Sequence, residues 1–143
     1  MKYRIAFTAL AAAVASAAGA ASPDVRGLWT TPVGATVELA PCGANLCGKL
    51  VSSPGIRANP AATDRNNKNA ALRGRKLKGL TIVWGFKPSA GGWSGGRIYN
   101  PGDGKIYSGS IDPAAGGMLK VKGCVASLMG INFCGLQQWK RAR

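Results

Sequence analysis

GGRIYNPGDGKIYSGSI, residues 95–111, sets two runs of alternating polar and apolar residues on either side of Asn100-Pro-Gly-Asp-Gly104. Proline presets a turn dihedral and glycine supplies positive φ, while a repeat of two is that of a half-buried strand, so the stretch reads as a β-hairpin. Its glycines form neither a Walker pattern nor GxGxxG, and no phosphate cradle is read from them. The same period recurs along the chain. Thr36 to Leu39 alternates, Leu80, Ile82, Trp84 and Phe86 fall on one face of a strand, Leu119 and Val121 alternate with Lys120 and Lys122, and a last strand runs from Leu136 to Arg141. About eight short strands joined by Gly, Pro, Asn and Asp turns make this an all-β chain.

One long irregular stretch interrupts the pattern. PGIRANPAATDRNNKNAALRGRKLKG, residues 54–79, holds seven basic residues, Arg57, Arg65, Lys68, Arg73, Arg75, Lys76 and Lys78, against the single acid Asp64. Loops of this length in a small domain are usually functional or mobile. A short helical turn fits around Ala70 to Arg73.

The N-terminus places the chain in a compartment. Lys2 and Arg4 precede an apolar run and then small residues ending in Ala18-Gly19-Ala20, the three parts of a secretory signal peptide. The run is too short and alanine-heavy to span a bilayer. The expected organisation is a signal peptide over 1–20 and one domain over 21–143 with no transmembrane segment, periplasmic or secreted. Without Lys2 and Arg4 the 19 basic residues fall to 17 against five acids, a net charge of +12. Such a field attracts anionic envelope surfaces and also serves plain solubility.

Export decides how the cysteines are read. There is no histidine, and Cys42, Cys47, Cys124 and Cys134 match neither a common zinc pattern nor the redox C-x-x-C, so no metal and no cofactor are expected. In an oxidising compartment four cysteines mean two disulfides. Three pairings are open; the local ones, Cys42 with Cys47 and Cys124 with Cys134, are favoured because each pair brackets a stretch able to turn back on itself. Between the second pair lies VASLMGINF, apolar and uncharged, for which burial is the favoured expectation.

Catalytic signals are few. Gly92-Trp-Ser-Gly-Gly96 spells a nucleophile elbow, but a chain without histidine lacks its base, and the surrounding residues read as a strand start. Asp64 and Asp103 are the least implausible carboxylates for acid–base work, with a turn role for Asp103 and ion pairing for Asp64 as the simpler readings.

Two resemblances follow from these residues. Gly27-Leu-Trp29 near the start and Trp139-Lys-Arg141 at the end resemble the closure of calycin barrels, lipocalins among them, in which an indole of the first strand packs on a basic side chain of the last. Trp29, Trp139 and Arg141 are the matching residues, with Lys140 as the other available cation. Gly27-Leu-Trp-Thr30, Pro41-Cys-Gly43, Leu46-Cys-Gly48, Asp64 with Asn67, Leu72-Arg-Gly-Arg75, Leu77-Lys-Gly-Leu80, Gly95 to Pro101, Asp103 to Tyr107, Leu119 to Cys124 and Trp139 to Arg141 together resemble a bacterial secreted family, domain of unknown function 2147. Lys76 stands where that pattern leads to a proline. The resemblance implies a single antiparallel up-and-down β-barrel, lipocalin-like, with two disulfides. It implies no established activity.

The function expected is a non-catalytic module that takes a small or apolar ligand. Trp84, Phe86, Tyr99 and Tyr107 would line it, with Asp64, Asn67, Arg73, Arg75 and Arg97 supplying polar contacts. A cationic protein docking on an anionic envelope component, and an enzyme using Asp64 with its Asn and Arg neighbours, are the alternatives. No sequence-specific nucleic acid is expected as partner, and the oligomeric state stays open.

Overall fold

The computed structural model describes residues 13, 24–126 and 129–142. Apart from Ala13, the expected signal peptide lies outside the described residues, as do 21–23, Ser127, Leu128 and Arg143. Eight strands follow one another: β1 (Gly27–Thr30), β2 (Thr36–Cys42), β3 (Asn45–Ser52), β4 (Thr81–Ser89), β5 (Gly92–Asn100), β6 (Lys105–Ala114), β7 (Met118–Ala126) and β8 (Asn132–Arg141). Each pairs antiparallel with the next, and β8 returns to β1, so the sheet closes into a barrel.

The hairpin at 95–111 forms as its residues dictate. Asn100 faces Lys105 across Pro101 to Gly104, and Gly104 sits at φ 70°, where a side chain is disfavoured. Cys42 faces Asn45 around a two-residue turn whose first residue, Gly43, has φ 65°. Strand β2 therefore runs beyond the alternating stretch Thr36 to Leu39 and into the turn. Both disulfides are the local ones, Cys42 with Cys47 and Cys124 with Cys134.

Strand β4 departs from simple alternation. Val83 pairs with Gly48 and Phe86 with Leu46, so Val83 and Phe86 face inward although three residues apart. A bulge at Gly85, φ 71°, absorbs the extra residue. Trp84 thus lies on the other face from Phe86, and the shared face read for Leu80, Ile82, Trp84 and Phe86 is corrected.

An up-and-down barrel alternates its connections between two ends. The β2–β3, β4–β5 and β6–β7 turns share one end with the chain entering β1 and leaving β8, and this end is plugged. Leu39, Leu46, Phe86, Ile111 and Leu119, all within a few residues of those turns, are among the largest fully buried side chains. Phe86 lies where a Cβ on Gly96 would come within 2.1 Å of its ring. Toward the other end, the inward positions of β7 and β8 are Val121, Gly123, Gly135 and Gln137, which leave space. Bulk at one end and its lack at the other turn the barrel into a cup.

The plug is sealed by the expected closure. Arg141 stacks 4.2 Å from the Trp29 ring centroid and donates to the Arg26 carbonyl at 2.9 Å, while the Trp29 indole donates to the Val25 carbonyl. Since Arg141 is exposed, Arg141→Ala is expected to cost about 1–2 kcal/mol and lower the thermal midpoint by a few degrees, with the lysine variant recovering part of the loss.

At the mouth the long β3–β4 connection is more ordered than its sequence indicates. Ser53 accepts from the Ile56 amide and caps a short helix, α1 (Pro54–Ala58), and Asn69 caps a 3-10 turn over Ala70–Leu72. Between Cys124 and Cys134, the apolar residues at 129–133 do not fold inward as expected. Met129, Ile131 and Phe133 are exposed, Phe133 by 62%. The reason is length: β1 is short and meets β8 only at Arg141 and Lys140, so the upper part of β8, though paired with β7 as far as Asn132, has no described strand partner on its other side.

Candidate functional site

The hollow half of the cup is a cavity of about 1000 Å³. Its wall is apolar, built from inward residues such as Val37, Leu50, Ile98 and Val121, and its rim comes from the β1–β2, β3–β4 and β5–β6 connections. Ile98 and Tyr99 are consecutive in a strand and point to opposite faces, yet both border it. The cavity therefore extends over the strand ends and under the β3–β4 loop.

That loop is held down by one carboxylate. Asp64 is closed to solvent, and its oxygens accept from the Tyr99 hydroxyl at 2.5 Å, the Asn67 amide at 2.8 Å and the Arg75 guanidinium at 2.9 Å. Its backbone amide donates to the Arg75 carbonyl, and Arg73 donates to the Asn67 carbonyl at 2.8 Å. Further along, the Asn66 amide donates to the Pro101 and Gly102 carbonyls, tying the loop to the β5–β6 turn. A carboxylate surrounded by its own donors holds the loop and has no open face for a substrate.

Burial first, and then the hydrogen bond to Asp64, push the Tyr99 phenol up to about 12. An unfolded phenol titrates near 10, so the folded state keeps its proton to higher pH. The stability linked to Tyr99 is whole below pH 10 and is lost as pH rises through about 12. Absorbance titration at 295 nm is expected to show a transition near pH 12 that is missing in Tyr99→Phe.

The residues expected to form the site are dispersed. Tyr99 and Tyr107 border the cavity; the Tyr107 hydroxyl donates to Asp103, which raises its phenol. Asp64, Asn67, Arg73 and Arg75 make the loop anchor. Trp84 borders a second, shallower hollow outside the barrel with Asn67, Arg75 and Tyr99. Phe86 is fully buried in the plug, and Arg97, paired with Trp84, is exposed on the outer face; neither borders the cavity. Ser94 sits within β5, in a strand and not at a strand–turn–helix elbow.

One residue was not singled out by sequence. Arg65 is the only charged side chain among the described residues that border the cavity. Six other basic residues share its loop, and spacing alone does not separate it from them. Its position follows from Asp64, whose anchoring fixes the next residue at the rim.

The chain has the following likenesses to known proteins. The family model described as "Uncharacterized protein conserved in bacteria (DUF2147)" matches residues 27–141. A solved structure of a Helicobacter pylori protein, described as belonging to the lipocalin family, is similar at a TM-score of 0.71, with 22% identity over 84% of each chain. No curated protein matches.

Proposed function

The chain belongs to the DUF2147 family, and from that premise and its lipocalin-like barrel we propose that it binds an elongated apolar molecule with an acidic head group. The observation that carries this reading is the apolar cavity of about 1000 Å³ with Arg65 as its one charged lining residue. Apolar walls favour an alkyl chain by removing it from water, and a guanidinium at the rim favours a carboxylate or phosphate over a neutral end. Both disulfides and the signal-like leader support work outside the cytoplasm, in the periplasm or beyond.

Gly135 supplies the test, since a Cβ built there meets nothing within 4 Å. A fluorescent fatty-acid analogue is expected to bind saturably to the native protein and at least tenfold more weakly to Gly135→Trp, with the circular dichroism unchanged. Arg65→Glu is expected to weaken the acid about tenfold and its methyl ester hardly at all. No saturable binding at any chain length, or equal binding by Gly135→Trp, overturns the reading.

A further inference from the structure

The surface around the mouth has a character that the rest of the barrel lacks. Every exposed large hydrophobic side chain among the described residues lies in the mouth half. Val33 comes from the β1–β2 turn, Leu72 from the β3–β4 loop, Ile106 from the start of β6, and four, Phe133 and Leu136 among them, from the β7–β8 arm. The seven basic residues of the β3–β4 loop share this end, and the acids there are turned to internal use, Asp64 on Arg75 and Asp103 on Tyr107. No comparable apolar exposure is found at the plugged end among the described residues.

We propose that the mouth end is a docking face for an anionic lipid bilayer. Apolar side chains from separate connections form a ring, which suits a broad surface that accepts several shallow insertions at once. Basic residues beside them are drawn to acidic headgroups while their aliphatic stems lie along the apolar ring. A second copy of the chain is the poorer occupant, because mouth-to-mouth contact would set one basic loop against the other. Docking in this way points the cavity at the membrane, the phase in which an elongated apolar molecule resides.

The probe is a set of vesicles of phosphatidylcholine alone or mixed equally with phosphatidylglycerol, with binding read by co-sedimentation. The native protein is expected to bind the mixed vesicles at least tenfold more tightly than the neutral ones, less so as salt is raised. The exposed-site double variant Val33→Glu with Phe133→Glu is expected to lose at least tenfold, as is Lys76→Glu with Lys78→Glu. Lys87→Glu with Lys120→Glu, the same charge change toward the plugged end, is expected to stay within twofold.

Equal loss from the plugged-end pair reduces the effect to net charge and overturns the proposal, as does full binding by the Val33 and Phe133 variant. Self-association without vesicles that the mouth variants abolish assigns the face to a second copy and overturns it too. The inference stands apart from the ligand reading: Gly135→Trp, with its cavity filled, is expected to dock as the native protein does.

Discussion

Asp64→Ala is expected to free the β3–β4 loop and speed tryptic cleavage within residues 59–79 about a hundredfold. The side chain is closed to solvent and accepts three hydrogen bonds. Its loss leaves a buried phenol without an acceptor and a half-buried guanidinium without its counter-charge, together about 3 kcal/mol or more. The cost falls on a loop that can open while the barrel stays closed, so local opening should rise by about two decades before global unfolding is affected. Trypsin has ready sites there at Arg65, Lys68 and Lys76, all exposed. Tyr99→Phe removes one hydrogen bond and should cost about 1 kcal/mol. Cleavage of Asp64→Ala at the native rate would show that the loop is held by something else.

A second large effect is expected at Gly109. A Cβ there would lie 1.7 Å from the Lys122 carbonyl oxygen and 2.8 Å from its carbon, both backbone atoms of the adjoining strand. No side-chain rotation relieves such a contact. Strands β6 and β7 would have to part, and in a closed barrel that displacement is passed to the neighbouring strands. Gly109→Ala is therefore expected to lose about 3 kcal/mol or more in urea unfolding, at the upper end for overpacking. Gly135→Ala, at another strand glycine but one whose Cβ meets open space, should change stability by less than about 1 kcal/mol. Similar midpoints for the two variants would remove the steric argument.

Much of the fold could be read from local chemistry. Turn residues at 100–104 and 43–44 act within a few positions, as do the cysteine pairs, and the closure residues carry a short pattern at each end of the chain. Long-range facts were less legible. Phe86 was placed at the ligand because its strand was read with unbroken alternation, and the bulge at Gly85 shifted it into the plug. The split between plugged and hollow halves depends on register, which sets Leu39, Phe86 and Ile111 at one level and Gly123 and Gly135 at another. The arm beyond Cys124 was expected inside because apolar residues usually are. The shortness of β1, seen in its pairing, leaves the described part of β8 in that arm without a neighbour on one side.

The same shortness bears on how the barrel comes apart. Seven of its junctions join strands consecutive in the chain, while the eighth joins β1 to β8 through the pairs Trp29 with Arg141 and Thr30 with Lys140. A cylinder tends to split along its least-stitched stave. Amide protons of Trp29 to Thr30 and Lys140 to Arg141 should thus exchange with solvent at a lower free energy than those of the β6–β7 ladder. A lateral split there would give a ligand of the proposed kind a second exit, one that leaves the β3–β4 loop at the mouth undisturbed.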